Sequence, residues 1–295
     1  MSDEPNEQQL LDLLRPPKDG SLRNMVRSAL SGRLPRVGRY QIQRPLGLGG
    51  VGVVYAARDR SSGELVAIKL LLHESALGSS REDARARLLR EGWVAAQLQH
   101  PAIVRMREHG IHEGRLYLVM DMIDGLPLDQ WCEQRSPSAA ARLQVLRRAG
   151  EGLAAAHAAG YVHRDFKPSN VIVDEQGLAY LVDFGLARPI RRAIDFVTAE
   201  ADVMFSITAV GQVSGTQGYL APELRMGARA SPSSDQYAFC VSAAALLEVD
   251  PSTRRSRLEG VSPKLCAAVL RGIEPLPMDR WPDMNSLLEL LAQRR

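Results

Sequence analysis

The fold is decided by His163-Arg164-Asp165-Phe166-Lys167-Pro168-Ser169-Asn170 and, shortly after it, by Asp183-Phe184-Gly185. The first stretch offers a proton acceptor at Asp165 and a cation at Lys167. Two oxygen-bearing candidate metal ligands follow at Asn170 and Asp183. Phosphoryl transfer depends on positioning and electrostatic stabilisation, so these groups supply most of what that reaction needs. Either His163-Arg164-Asp165 or Asp183-Phe184-Gly185 alone would be a chance occurrence. Their order and spacing together are strong evidence for a phosphoryl-transfer site.

The composition excludes several classes of protein. The chain has 295 residues, enough for one large domain or two modest lobes with real cores. The net charge of +3 gives no reason to expect nucleic acid or an anionic membrane as a partner. Three widely spaced cysteines suit a reducing compartment, and no apolar run approaches the ~20 residues of a membrane helix. The start of the chain is acidic, unlike a signal peptide. We therefore expect a soluble, cytoplasmic protein.

The residue composition of the sequence changes near Tyr40. Residues 1–38 are rich in Ser, Gly, Arg and Pro after a short leucine cluster. They are interpreted as a flexible or loosely docked extension, with a partner-binding role as the alternative. Beta-branched runs then predict strands, and charged, periodically apolar runs predict helices. The predicted strands are 52–58, 65–71, 104–110 and 115–121. The predicted helices are 81–98, one from Ser136 or Ser138 to Ala159, one from near Asp235 to Glu248, and finally 262–272 and 283–293.

A glycine-rich turn lies between two strands, and the second of these is the predicted strand 52–58. It reads Leu46-Gly47-Leu48-Gly49-Gly50-Val51-Gly52-Val53-Val54. Glycines let a backbone approach phosphates closely and adopt positive φ without strain. Alone, the pattern is weak and fits an ordinary glycine hairpin equally well. A dinucleotide-binding fold would need a helix after the glycines, and the predicted strand disfavours it.

A second candidate site residue is Lys69, within the apolar run Val66-Ala67-Ile68-Lys69. A buried, unpaired cation is costly, so Lys69 must contact a polar partner or a ligand phosphate. Glu91, on the following predicted helix, is the best candidate partner. Glu82 and Asp83 are less suitable because they begin that helix, where acidic side chains commonly stabilise the positive end of the helix dipole. The alternative for Glu91 is a solvated helix face.

Five segments together resemble the serine/threonine protein kinases, specifically the bacterial, eukaryotic-like (Hanks-type) branch. They are residues 46–54, 66–69, 163–170 and 183–185, described above, and Ala221-Pro222-Glu223. The resemblance covers about residues 40–291. It implies an α+β, bilobal fold with a small antiparallel-sheet N-lobe carrying one helix (about 39–122) and a larger, mainly helical C-lobe (about 123–295). It implies an enzyme that uses ATP and Mg²⁺, with Mn²⁺ as an alternative, to phosphorylate Ser/Thr hydroxyls of proteins, its own activation segment included.

The resemblance also implies residue roles. Lys69 would bind the α- and β-phosphates, with Glu91 as its ion-pair partner. Asp165 would be the catalytic base and Lys167 would contact the γ-phosphate. The magnesium ligands would be Asn170 and Asp183. Adenine would bond the backbone of Asp121 and Ile123, beside Met120 as gatekeeper. The ATP site would comprise Leu46, Gly47, Gly49, Gly52, Val54, Ala67, Lys69, Met120, Asp121 and Ile123.

Further roles concern regulation and structure. Thr208 is the first candidate for phosphorylation, since Arg164 could pair with a phosphate on the activation segment, residues 186–220. Thr216 would line the substrate site. Solvated hydroxyls on a mobile loop are the alternative for these threonines. Glu223 and Arg280 resemble a buried structural ion pair, and Asp235 resembles an anchor for the catalytic loop.

The sequence departs from the family after Asp235, where an expected helix is missing and a charged loop, 250–257, takes its place. Apolar surface at 239–247 is therefore expected to be exposed or covered by a homodimer or a partner protein. The alternative function is a kinase-fold, nucleotide-binding scaffold with little or no transfer. A small-molecule phosphotransferase is third, and Ala221-Pro222-Glu223 disfavours it.

Overall fold

The structure is a computed structural model that describes residues 36–49, 52–71, 98–112, 115–183, 188–189 and 216–292. The described chain forms two compact units. The first contains the described residues up to Leu71 together with 106–122, and the second contains 98–105 and everything from Ile123 onward. No helix in the described part of the chain is long and apolar enough to cross a membrane.

The first unit is an antiparallel sheet. Its described strands are β1 (Arg36–Val37), β2 (Tyr40–Gly49), β3 (Gly52–Asp59), β4 (Leu65–Leu71), β5 (Met106–His112) and β6 (Arg115–Asp121). They lie in the order β1-β2-β3-β4-β6-β5. Alternate residues point to one core, which explains the beta-branched and aromatic composition of the strands. The buried cluster includes Tyr40, Ile42, Val53, Ile68 and Val119.

The predicted strands 52–58, 65–71 and 115–121 are confirmed to within one residue. The strand predicted at 104–110 runs instead over Met106–His112. The shift has a tertiary cause, because Ile103 bridges to Leu181 and the Val104 N–H donates to the Leu181 carbonyl, 3.0 Å away, in the second unit. The sheet also begins before residue 38, since Val37 is fully buried and pairs with Tyr40. Residues 1–35 and nearly all of the predicted helix 81–98 lie outside the described residues.

The second unit is mainly helical. Its described helices are α1 (Leu128–Arg135), α2 (Ala139–Ala158), α3 (Pro222–Arg225), α4 (Pro232–Leu246), α5 (Pro263–Arg271) and α6 (Met284–Ala292). Its described strands are β7 (Gly125–Pro127), β8 (Tyr161–Val162), β9 (Val171–Asp174), β10 (Ala179–Leu181), β11 (Arg188–Pro189), β12 (Val249–Asp250) and β13 (Arg255–Ser256). Strands β7, β9 and β10 form one small sheet, and β8 pairs with β11.

Local sequence signals fix the helix starts. The predicted cap of α2 is confirmed at Ser138, whose hydroxyl accepts the Ala141 N–H at 3.3 Å. Helix α4 begins with a capping box, in which Ser231 and Ser234 each accept the other's backbone N–H. Buried residues lie almost all around α4, so it is a core helix of the second unit.

A short hairpin follows α4. Between α4 and α5, a stretch that is described throughout, the chain forms β12 and β13 where a charged loop was predicted. Phe239, Cys240 and Leu247 are fully buried within the chain. The Ser256 hydroxyl donates to the Leu247 carbonyl at 2.6 Å, which ties the hairpin to the end of α4. The prediction that the apolar surface at 239–247 is exposed or covered by a partner is therefore wrong for most of these residues, which the chain itself buries. Ala245 is exposed, and Val241 and Leu246 are half-buried.

Candidate active site

The loop of residues 163–170 connects β8 to β9 in the second unit. Its centre is held by Phe166, which is buried and packs on Phe239 of α4 with ring centroids 5.4 Å apart. Asp165 and Lys167 flank this anchor and are half-buried. The loop closes in a 3₁₀ turn at Pro168–Asn170. An apolar anchor between two polar residues thus fixes the polar pair at the surface.

Asp235, in the first turn of α4, anchors the start of the loop. Its carboxylate accepts the backbone N–H of His163 at 2.7 Å and of Arg164 at 2.8 Å. It also lies 2.9 Å from Nε2 of His157. The side chain is almost fully buried, and the positive end of the helix dipole favours its charge. These bonds hold Arg164 at φ 74°, a left-handed conformation that a non-glycine residue seldom adopts.

Three side chains converge at the catalytic loop. Lys167 Nζ lies 2.9 Å from Asp165 Oδ2. The Asn170 side-chain amide donates to the Asp165 backbone oxygen at 2.7 Å and to its Oδ2 at 3.1 Å. Asn170 is itself buried. The carboxylate of Asp165 is therefore oriented by one cation and one amide, which is the arrangement a positioned proton acceptor requires.

His163 links this cluster to Asp183. Its Nδ1 accepts the Asp165 N–H at 3.3 Å, so Nε2 carries the proton that is donated to the Val182 carbonyl at 3.0 Å. The Val182 N–H in turn donates to the Asn170 carbonyl at 2.9 Å. Asp183 follows directly, with φ 67°. No role was predicted for His163 from the sequence, and its buried ring with these two hydrogen bonds reveals one.

The first unit brings several predicted nucleotide-binding residues onto one face of its sheet. Lys69 lies opposite Val54 on β3, and Ala67 lies opposite Met120 on β6. Directly opposed residues of antiparallel strands share a face, as do residues two apart on one strand. Lys69 is 4% exposed, among buried or half-buried neighbours. The predicted glycine-rich turn is the end of the β2–β3 hairpin, where Gly49 pairs with Gly52 and Gly47 with Val54. Leu46 precedes them at the surface.

The remaining predicted site residues are placed less completely. Asp121 is the last residue of β6, and at Ile123 the chain returns from the first unit to the second. Thr216 begins a 3₁₀ turn, and its side chain is outside the described part of the structure. Glu91, Thr208, Phe184 and Gly185 also lie outside the described residues.

The comparisons with known proteins agree with this geometry. The family described as "Protein kinase domain" matches residues 40–285. The chain belongs to the protein kinase domain family. It is 34% identical to serine/threonine-protein kinase pkn2 of Myxococcus xanthus, an alignment that covers 86% of this chain and 29% of that protein. It is 34% identical to serine/threonine-protein kinase PknA of Mycobacterium tuberculosis, covering 87% of this chain and 58% of that protein.

One solved structure is similar to this chain along nearly the whole length of the solved chain. The kinase domain of Mycobacterium tuberculosis PknI superposes with a TM-score of 0.64 and 26% identity, covering 89% of this chain and 98% of that chain. The α+β kinase fold predicted from the sequence is thereby confirmed. The chain spans less than two thirds of the length of the curated relatives named above.

The kinase domain also contains the expected ion pair between Glu223 and Arg280. Two parallel bonds join them, Nη1 to Oε1 at 2.8 Å and Nη2 to Oε2 at 2.7 Å. Arg280 is almost fully buried and also donates to the carbonyls of Glu274, Pro275 and Ser233. Burial acts to raise the pKa of Glu223, but the Arg280 bonds outweigh it and the pKa is lowered.

Proposed function

We propose that the chain is an ATP- and Mg²⁺-dependent protein kinase that phosphorylates Ser and Thr hydroxyls. The observation that carries the proposal is the arrangement of Asp165, with Lys167 2.9 Å and the Asn170 amide 3.1 Å from the same carboxylate oxygen. We place the kinase domain from Arg36 onward, because β1 belongs to the sheet, with an N-lobe up to residue 122 and a C-lobe from 123 that also includes residues 98–105. The composition supports a cytoplasmic location.

The first unit would bind ATP. Val54, Ala67 and Met120 present apolar surface to adenine, and Lys69 on the same face meets the α- and β-phosphates. Gly47, Gly49 and Gly52 would let the hairpin approach the phosphates closely. The backbone of Asp121 and Ile123 would bond the adenine edge, with Leu46 as an apolar wall and Glu91 as the partner of Lys69.

The second unit would hold the metal. Both described donor contacts of the Asn170 amide go to Asp165, so its oxygen Oδ1 is the atom assigned to a cation. With Asp183, this gives an amide oxygen and a carboxylate, which suits Mg²⁺ because Mg²⁺ takes few protein oxygens and completes its shell with water and phosphates. Among the described residues no cluster of three or more His, Cys, Asp or Glu could hold a metal. When bound, the cation would neutralise charge on the phosphates.

Asp165 would accept the proton during transfer. The described contacts of its carboxylate, with Asn170 and Lys167, both involve Oδ2, so we assign Oδ1 to the substrate hydroxyl. The hydroxyl oxygen forms the new bond to the γ-phosphorus, the bond to the β-phosphate oxygen breaks, and ADP leaves. The hydroxyl proton passes to Asp165. Lys167 is close enough to Asp165 to neutralise the transferring group from the same side.

The substrate class rests on two kinds of support. A lysine two residues beyond the catalytic aspartate is the pattern of Ser/Thr kinases, and the relatives named above are described as serine/threonine-protein kinases. Thr216 is proposed to line the site for the protein substrate. Thr208 is proposed as the residue phosphorylated on the activation segment, where Arg164 would pair with its phosphate.

The decisive experiment incubates the purified full chain with labelled ATP, Mg²⁺ and a generic Ser/Thr protein acceptor. Asp165→Asn and Ser169→Ala are run beside it, since Ser169 is an exposed neighbour with no assigned role. We expect label with the wild type and Ser169→Ala, and almost none with Asp165→Asn. Nucleotide binding by all three proteins without transfer by any would instead establish a nucleotide-binding scaffold. Mapping the labelled residue tests Thr208 in the same experiment.

A further inference from the structure

Strand β5 contains a bulge at Arg107. Met106 pairs with Met120 of β6, whereas Glu108 pairs with Val119, so Arg107 is one residue more than β6 can match. A bulge of this kind disrupts the ladder locally and re-aims a side chain. It lies beside the last residues of β6, immediately before the chain leaves the first unit.

The bulged arginine contacts two carboxylates, one at the end of β6 and one just before β4. Its Nε donates to Oδ1 of Asp121, the last residue of β6. Its Nη1 donates at 2.6 Å to Oε2 of Glu64, which directly precedes β4. The hydrogen bond that Arg107 donates to Asp121, and then the one that it donates to Glu64, raise the pKa of Arg107. Arg107 therefore ties the end of β6 to the start of β4, from the edge strand of the sheet.

This end of the sheet presents the groups assigned to adenine. The pairing of β4 and β6 ends at Val66 and Asp121, and Met120 and Ala67 form the next pair. Beyond Asp121 no further ladder pair between β4 and β6 holds the backbone. A strand end would be free to twist unless a side chain restrains it. The Arg107 clamp, defined as Arg107 with Asp121 and Glu64, supplies that restraint.

We propose that Arg107 is a positioning residue for the nucleotide: by holding Asp121 it fixes the backbone atoms that recognise the adenine edge. The inference rests on the proposed ATP-binding function. Adenine donates from its 6-amino group and accepts at N1, whereas guanine has these roles reversed, so discrimination depends on correctly oriented backbone donors and acceptors. Arg107 does not need to touch the nucleotide. It lowers the cost of ordering this segment when the nucleotide binds.

The test measures dissociation constants of ATP and GTP for the full chain by calorimetry, in Mg²⁺. Arg107→Met keeps the aliphatic stem and removes both ion pairs. We expect its Kd for ATP to rise about three- to tenfold, with the Kd for GTP nearly unchanged, so that the preference for adenine falls. Arg107→Lys, which has no planar fork to meet two carboxylates, should give an intermediate value. The kcat at saturating ATP should stay within about twofold of wild type.

Arg39→Met is the matched control. Arg39 makes the same kind of contacts in the same sheet, with Asp59 at 3.0 Å and Glu108 at 2.7 Å, but none with Asp121. Its Kd for ATP should equal that of the wild type. An unchanged Kd for ATP in Arg107→Met would overturn the proposal. So would an equal rise of this Kd in Arg107→Met and Arg39→Met, provided that the two variants have the same melting temperature. If the wild type binds nucleotide but transfers no phosphoryl group, the proposed kinase activity is refuted and the clamp is not. A loss of ATP affinity in Arg107→Met would then still support the clamp.

Discussion

The side-chain amide of Asn170 donates to both the backbone oxygen and the carboxylate of Asp165, at 2.7 and 3.1 Å. One residue therefore orients the proposed base and, through its remaining oxygen, offers a ligand to the proposed cation. The two functions are coupled by geometry, since any rotation of the amide that improves one contact moves the other.

Asn170→Ala should remove both functions at once. We expect kcat to fall by about 10²–10⁴, because both a positioned base and an electrostatic contact are lost. Steady-state phosphorylation of a protein acceptor at several Mg²⁺ concentrations measures this. Ser169→Ala, one residue away and exposed, is the control and should retain wild-type activity. Activity of Asn170→Ala within a few-fold of wild type would contradict the assignment.

Asp235→Ala should destabilise the catalytic loop. It leaves the backbone N–H groups of His163 and Arg164 without their buried acceptor, and an unsatisfied buried donor costs about 1–3 kcal/mol. We expect a loss of at least about 2 kcal/mol in the free energy of unfolding, measured by urea denaturation. Ser242→Ala is a buried control in the same helix, since its hydroxyl donates only to the Ala238 carbonyl. This variant should lose less unfolding free energy. Equal losses in the two variants would argue against a specific anchoring role.

Arg280→Met should be among the most damaging single changes in the chain. It leaves the Glu223 carboxylate uncompensated in a largely buried site, and breaking such a pair typically costs about 3–5 kcal/mol. Thermal and urea unfolding measure the loss. The matched variant is Arg271→Met, which removes an arginine that stacks on Trp281 nearby and should be tolerated better. A fully stable Arg280→Met protein would show that the pair is dispensable.

The same ion pair predicts a pH dependence. Because the pKa of Glu223 is lowered in the folded protein, its contribution is complete above the ordinary carboxyl value of 4.5 and is lost as the pH falls through the lowered value. The difference in unfolding free energy between wild type and Glu223→Gln should therefore be constant above pH 4.5 and shrink below it. Urea denaturation across the acid range measures this difference. A gap that widens as the pH falls would mean that the sign of the shift is wrong.

Gly272→Ala should destabilise the contact between α4 and α5 by overpacking. A methyl group at this position would lie 2.1 Å from the Cys240 sulfur, although the backbone φ of −70° suits any residue. We expect a loss of about 1–3 kcal/mol in urea denaturation. Adding Cys240→Ala should restore part of that loss, since the sulfur is removed but its Cβ remains 2.9 Å away. Additive effects of the two changes would contradict the steric explanation.

Much of the site could be predicted because its residues are close in sequence. Asp165, Lys167 and Asn170 occupy one loop, so their spacing alone places them together. The anchoring of that loop by Asp235 spans about seventy residues, and no local pattern contains it. Only the likeness to a known family pointed to it.

The errors in the strands had tertiary causes, whereas the error at residues 250–257 had a local one. The strand predicted at 104–110 starts two residues later because Ile103 and Val104 pair with Leu181 instead. The bulge at Arg107 is a register effect that a periodicity of two cannot express. Charged residues at 250–257 predicted a loop, yet Asp250 caps the turn by accepting the Ser252 N–H at 2.8 Å, which allows a hairpin.

The hairpin between α4 and α5 also bears on how the protein folds. The elements that cover α4 on this side follow it directly along the chain, so their contacts close short loops rather than long ones. Contacts between sequence neighbours form quickly, whereas distant pairings slow the search for the native state. We expect α4, the hairpin and α5 to assemble as an early kinetic unit, with the catalytic loop docking onto a platform that already exists.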